Sequence, residues 1–295
     1  MMRRKLEVSK LLIHLLFTIL SIIVVLPFLL VIAVSLTDEK SISEFGYRFI
    51  PQHFSLDAYR YLLDAPDVII KAYGITLLIT VVGSLVGLLL TAMTAYVISR
   101  PDYRYNRVTT FYVFFTMLFS GGLVPSYILI TQYLHLKDSL LALILPLLLS
   151  PFNIMVMKGF MAKIPLEIVE SAKMDGAREF RIFFRIILPL STPALATLGL
   201  LISFSYWNDW FNAMLYIDDP GKVPLQLLLV RTLNSIEFLT TNSEFTQQLS
   251  IDLASFPNNS ARMAIAVLAG GPMLVIFPFF QRFFVKGLTV GSLKG

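Results

Sequence analysis

Two stretches of this 295-residue sequence concentrate side chains able to act on another molecule. Between Lys158 and Arg185, the charged residues Glu167, Glu170, Lys173, Asp175, Arg178 and Glu179 alternate with Ile168, Val169, Ala172, Gly176, Ala177, Phe180 and Phe183. The second stretch is the aromatic and polar run Tyr206-Trp207-Asn208-Asp209-Trp210-Phe211-Asn212. The chemistry available to both is recognition: hydrogen bonding, ion pairing and ring stacking. Bond-making chemistry has no comparable cluster. There is no cysteine, so thiol catalysis, disulfides and cysteine-ligated metals are excluded. His14, His53 and His135 lie far apart, without metal-ligand spacing. No G-x-x-x-x-G-K-[ST] phosphate loop occurs, and no catalytic pair falls inside an apolar run.

The elements that must position these stretches are set by the charge pattern. Apolar residues make up 56% of the chain and charged residues 15%, against roughly 25% charged in a soluble domain. Six runs of at least 19 residues lack Lys, Arg, Asp and Glu altogether: 11–37, 72–99, 108–136, 139–157, 186–208 and 263–281. A helix needs roughly 20 residues to cross a hydrocarbon core about 30 Å thick. A membrane barrel would instead alternate polar and apolar residues in segments of about ten. The expected fold is therefore all-α, with six transmembrane helices. The basic Met1–Lys10 stretch and Ala33-Val34-Ser35 resemble a secretory signal with its cleavage site. The apolar stretch between them exceeds the roughly 7–15 residues of such signals, so an uncleaved first helix is expected.

Basic residues give the orientation. With a cytoplasmic N-terminus, the inside segments are 1–10, 100–107, 158–185 and 282–295, which hold 16 of the 24 basic and 6 of the 19 acidic residues. The outside segments are net acidic. The net charge of +5 thus reads as topology, with both termini cytoplasmic, and nucleic-acid binding has no support. Outside loop 38–71, with Tyr47, Phe49, Phe54, Tyr59 and Tyr61, is expected to fold onto helix ends. In loop 209–262 a Pro220-Gly221 turn precedes an amphipathic helix over Val223–Phe238 at the outer surface. No internal repeat or low-complexity tract is present.

Within 158–185, Pro165 suits a helix's first turn, Leu166–Met174 are good helix formers, and Gly176 suits the left-handed residue past a helix end. A second short helix from Ala177 would lead into the fifth span. On physics alone this protrusion is either an interfacial helix held by lipid or a docking site for a cytosolic partner. The acids Glu170, Asp175 and Glu179 disfavour binding to anionic lipid. The 206–212 aromatics are equally those of an interfacial belt, whereas Asn208 and Asp209 near membrane depth are costly unless used.

Glu170-Ser171-Ala172-Lys-Met-Asp175-Gly176-Ala177, followed by Phe184-Arg-Ile186-Ile-Leu188-Pro189, resembles the EAA loop of binding-protein-dependent ABC importer permeases, with Ser171 replacing the first alanine. The ending Gln281–Gly295 is similar to that of MalG-like carbohydrate permeases. Ser120-Gly121-Gly122-Leu-Val-Pro125, with Tyr206-Trp207-Asn208-Asp209, looks like their LplC-like subgroup. The resemblance implies a multi-pass permease subunit in the bacterial cytoplasmic membrane with the type I importer fold. Its divisions would be a first helix and extracytoplasmic loop (1–70), a permease core (71–284) with the coupling loop 158–189, and a tail (285–295).

The implied partners are a second, homologous permease, two ATP-binding subunits and an extracytoplasmic solute-binding protein. ATP and Mg would be bound by the partner ATPase; this chain has no cofactor and no metal, and is not an enzyme. Its implied work is import of an oligosaccharide by alternating access, acidic alginate or pectin fragments being candidates. In the coupling loop Glu170, Ser171, Ala172, Asp175, Gly176 and Ala177 would dock the ATPase. Small residues would enter a cleft, Glu170 would meet a basic group, Gly176 would set the turn, where a side chain would clash or strain the backbone, and Asp175 would cap the second short helix. The substrate path would use Tyr206, Trp207, Asn208, Asp209, Trp210 and Asn212. Ser120-Gly121-Gly122 and Pro125 would either loosen the third span where it lines the cavity or serve close helix packing. The rival is a six-helix ion-coupled secondary transporter, which would place ionisable groups or broken helices near the midplane. The six runs contain no Asp, Glu, Lys or Arg.

Overall fold

A computed structural model describes the backbone of residues 2–64, 66–241 and 258–292, and the side chains of these except 2–9, 240 and 279–292. The described residues are helical and contain no named strand; Thr37 and Phe54 form one isolated antiparallel bridge. Three helices are long and apolar enough to cross a membrane: Lys10–Ser35 within α1 (Met2–Ser35), α4 (Pro66–Ser99), and Asn258–Pro278 within the last helix. Three further apolar segments are each broken in two. The bends are 110° between α5 (Asn106–Leu118) and Leu123–Tyr133, which begins with α6 (Leu123–Ile128), 50° between Leu141–Leu147, which begins with α7 (Leu141–Ile144), and α8 (Pro151–Met161), and 82° between Glu179–Leu190 and Thr192–Trp207.

Each break has a local cause. At the first, Phe119 is extended and Gly122 takes φ +88°, which an L side chain rarely adopts. At the second, Pro146 cannot donate a backbone N–H, and Ser150 accepts a bond from the Asn153 N–H as the new helix opens at Pro151. At the third, Ser191 lies between Pro189 and Pro193. The loosening expected around Ser120-Gly121-Gly122 is thus a complete break. The continuous third, fourth and fifth helices expected from charge-free length are corrected to bent pairs, since absence of charge does not report where the backbone ladder is interrupted.

The chain divides into two compact units, Met1–Asp67 with Leu229–Pro272, and Val68–Leu228 with Met273–Gly295. In the first, the loop after α1 is tied to that helix's end: Ser35 Oγ and Tyr59 OH are 2.9 Å apart, and the Ser55 N–H donates to the Leu36 carbonyl. The loop carries α2 (Glu39–Phe45) and α3 (Asp57–Leu62). The Glu39 carboxylate is 8% exposed and accepts four hydrogen bonds. They come from Asn259 N (3.0 Å) and Nδ2 (2.8 Å), and from Ser260 N (3.0 Å) and Oγ (2.9 Å), in the first turn of the last helix. A carboxylate there satisfies N–H groups that have no intrahelical acceptor and meets the positive end of the helix dipole. Glu39→Ala is expected to destabilise the protein by about 3 kcal/mol, read as a lowered unfolding midpoint in detergent, because the buried Ser260 N–H and the half-buried Asn259 N–H lose their acceptor.

The second unit is built around α4. Its buried face runs Ala72, Thr76, Ile79, Thr80, Gly83, Ser84, Gly87, Thr91, Ala92, Ala95 and Tyr96. These mostly small residues admit close neighbours: the Ser203 hydroxyl donates to Ser84 Oγ at 3.0 Å, and the Thr76 hydroxyl accepts from the Leu225 N–H at 2.8 Å.

Candidate functional site

The 158–189 loop folds as its sequence directs. After α8, Pro165 (φ −57°, ψ 134°) turns the chain into α9, Leu166–Met174, which has the expected bounds. Val169 and Ala172, three apart on one face, are buried in a cluster with Ala92, Ala95, Tyr96, Met157, Met161 and Phe183. The opposite face is open: Glu170, Ser171, Met174 and Asp175 are exposed, Met174 at 88%. Glu170, Ser171 and Asp175 make no side-chain hydrogen bond or ion pair among the described residues, so their polar atoms are available to a neighbour.

Helix α9 ends in a Schellman turn. The Gly176 N–H donates to Lys173 O and the Ala177 N–H to Ala172 O, each at 2.9 Å, with Gly176 at φ +77°. A Cβ built at Gly176 meets nothing within 4 Å. The demand for glycine is therefore backbone strain, and the expected clash does not arise within this chain. Two other expectations are corrected. Asp175 is the C-cap of α9 and does not cap the next helix, α10 (Glu179–Ile182), whose N-cap is Arg178 without a side-chain bond. Ala172 faces the protein's own core, so its small size lets α9 sit down on α4 residues and does not present it outward. Ala177 is half-buried against the same cluster.

Sequence reading missed the polar anchor beneath this loop, because it treated Arg100 only as a topological charge. Arg100, 9% exposed, follows the last residue of α4. Its Nε donates to Asp102 Oδ1 (2.7 Å), its Nη2 pairs with Asp102 Oδ2, and its Nη1 donates to both Tyr96 OH and Glu179 Oε2 at 2.8 Å. Tyr96 OH in turn donates to Glu179 Oε2 at 2.9 Å. Lys173 Nζ lies 3.0 Å from Glu179 Oε1 and 3.4 Å from Asp102 Oδ2. An arginine directly after an apolar run, with an acid two residues on, is a signal for the Arg100–Asp102 pair, though not for Glu179.

The bond from Arg100 holds the Asp102 carboxyl down at about 2, from an ordinary 3.8. A depressed folded-state pKa contributes stability above the unfolded value and loses it as pH falls through the folded one. The difference in unfolding midpoint between wild type and Asp102→Asn is therefore expected to stay constant from pH 8 to 5 and to shrink between about pH 4 and 2.

The 206–212 stretch divides in two. Helix α12 runs Thr192–Trp207. Tyr206 and Trp207 are each 1% exposed, packed inside the helix assembly. Tyr206 OH donates to the Ile144 carbonyl at 2.8 Å. That oxygen is accessible because the N–H four residues on, Leu148, bonds Leu145 O in the tightened turn. Trp207 lies 6.3 Å from the Tyr73 ring, centroid to centroid. Asn208 and Trp210 are exposed. Asp209 accepts from the Asn212 N–H (3.1 Å) and Nδ2 (2.9 Å), fixing the start of α13, Phe211–Tyr216. Burial raises the Asp209 carboxyl pKa, which these hydrogen bonds counter. Only part of the run is thus exposed, and its two acceptor-rich residues partner each other. Among the described residues no group of His, Asp and Glu could hold a metal.

The family profile described as "Binding-protein-dependent transport system inner membrane component" matches residues 83–290, a span that takes in both the α9 protrusion and the 206–212 stretch. The chain belongs to this family. It is accordingly an inner-membrane transport component and not a catalyst. Protein LplC of Bacillus subtilis is 39% identical over 92% of this chain and 90% of its own length. The polygalacturonan/rhamnogalacturonan transport system permease protein YtcP of the same organism is 39% identical over 93% and 94%. Among solved structures, a bacterial ABC transporter involved in the import of the acidic polysaccharide alginate matches with TM-score 0.80 and 29% identity, covering 94% of this chain and 97% of that one. The curated relatives include several oligosaccharide transport permeases; nothing among them favours an ion-coupled carrier.

Proposed function

We propose that this chain is one permease subunit of an ATP-driven importer that moves an oligosaccharide, in particular an acidic one, from a binding protein across the cytoplasmic membrane. The observation that carries the reading is a family match over 83–290, a span that contains α9, with Glu170, Ser171, Met174 and Asp175 exposed. The acidic substrate class rests on the galacturonan permease relative and the alginate importer likeness. In this reading the three unbroken helices and the apolar parts of the three bent pairs supply six membrane spans, Thr192–Trp207 being the main part of the fifth, with both termini and the 158–189 loop in the cytoplasm. The first helix and its loop (1–70) flank a permease core (71–284), and 285–295 form a tail.

One homologous permease and two ATPases complete the membrane complex. Glu170, Ser171 and Asp175 offer the polar contacts to an ATPase, Gly176 sets the turn between them and α10, and Ala172 and Ala177 seat the helix. Asn208 and Trp210, the exposed members of the second cluster, are the candidates for contact with sugar; Asp209 and Asn212 shape the turn, and Tyr206 and Trp207 support it. The helix breaks at 119–122, 148–150 and 191 contain no ionisable residue, so of the two features an ion-coupled carrier would use there only the breaks themselves are present.

The test is to purify the tagged chain from its native membrane with whatever it retains, reconstitute that complex in liposomes, and measure ATP hydrolysis with its binding protein. Stimulation by oligogalacturonate or oligoalginate is expected, with neutral oligosaccharides weaker. Recovery of the chain without any P-loop ATPase, in a detergent that preserves such complexes, would overturn the importer reading.

A further inference from the structure

The apolar seat of α9 cannot by itself tell α4 where α9 has moved. Val169 and Ala172 rest on Ala92, Ala95 and Tyr96 through non-directional contacts, which permit sliding. Directional links gather at the end of α4, where Lys173 of α9 lies 3.4 Å from Asp102 Oδ2 and Arg100 makes the shorter bond to Glu179. Arg100 is gripped on one edge by Asp102 in its own turn, so its remaining nitrogen is aimed at Glu179, the first residue of α10. Tyr96, one turn earlier on α4, shares the same carboxylate oxygen and packs at a tilt against Phe183, with ring centroids 5.5 Å apart. The turn carrying Arg100 is itself pinned, since Asn106 Nδ2 donates to the Ile98 and Arg100 carbonyls at 2.9 and 2.8 Å. A planar guanidinium with fixed partners resists rotation as well as separation.

We infer that Arg100, Tyr96 and Glu179 are positioning residues that clamp the α9–α10 turn to the end of α4, so that a push on the coupling loop is passed to α4 and not absorbed by sliding. The inference rests on the importer reading above.

The clamp predicts uncoupling. In the complete reconstituted complex, Arg100→Ala is expected to retain the ATPase subunits and at least half of the basal ATP hydrolysis, while sugar transported per ATP hydrolysed falls at least tenfold. Arg100→Lys, which keeps the charge but loses the fork, should recover only part of that ratio. A merely structural role would lower assembly, hydrolysis and transport together and leave the ratio unchanged. Glu179→Gln keeps the side-chain shape and serves as the second variant should Arg100→Ala not assemble; it should lower the same ratio. A ratio within twofold of wild type in Arg100→Ala, or in Glu179→Gln where only that variant assembles, overturns the clamp. Absence of an ATPase from the wild-type complex is a different result and strikes the importer reading itself.

Discussion

Gly83→Ala is expected to lower the unfolding midpoint of the detergent-purified protein by roughly 6–12 °C, the shift that about 3 kcal/mol of overpacking produces in a chain of this class. A Cβ at position 83 falls 2.4 Å from Tyr206 Cζ and 2.6 and 2.7 Å from the two Cε atoms. Carbon atoms in contact want about 3.5–4.0 Å. The ring has no retreat: it is 1% exposed and its hydroxyl is held by the Ile144 carbonyl. One turn on and on the same face, a Cβ at Gly87 would lie 2.7 Å from the Leu148 carbonyl oxygen, so α4 is packed closely along this whole face. Combining Gly83→Ala with Tyr206→Leu, whose side chain is shorter, should destabilise less than the sum of the single changes, as expected of residues in direct contact. A Gly83→Ala protein melting within 2 °C of wild type would show that the two helices do not approach this closely.

The second large effect is on assembly and leaves folding almost untouched. Gly176→Trp is expected to insert normally and to lose capture of the ATPase at least tenfold, measured by co-purification. The left-handed conformation at φ +77° costs an L residue about 1–2 kcal/mol, too little to unfold a domain. The site is open, with nothing within 4 Å of a Cβ, so the indole projects from the turn where the proposed docking face ends. Gly176→Asn separates the two causes, since asparagine tolerates this conformation; it should retain capture. Normal sugar-stimulated hydrolysis in a Gly176→Trp complex would refute the docking role.

What could be read from sequence followed from periodic or local rules. Helix α9 and its glycine turn were legible because helix formers, a preceding proline and a glycine two residues past the helix each speak for themselves. The long apolar segments were legible because charge is excluded from all of them. The 110° break was half legible, since Ser120-Gly121-Gly122 marks weakness without giving an angle. The Arg100–Glu179 link and the approach of Tyr206 to Gly83 were not legible. Their partners lie 79 and 123 positions apart, and no residue type announces a partner at that distance. The outward role given to Ala172 failed for a related reason: a helix of nine residues shows its small side chains without saying which face the core will claim. A sum of charges over loops carries Arg100 as one positive unit and holds no information about its neighbours.

The Glu39 cradle also has a consequence in time. Its donors, Asn259 and Ser260, are separated from it by 220 and 221 positions, and the ribosome adds about 5–20 residues each second. For roughly 10–40 s after Glu39 emerges, its carboxylate has no Ser260 to bind. The 38–64 loop therefore waits without these bonds and closes on them only once the helix beginning at Asn258 has been made. A nascent chain stalled before residue 258 should be cleaved by protease within 38–64, whereas one carried well past residue 260 should resist, so protection of this loop reports that Asn259 and Ser260 have reached Glu39.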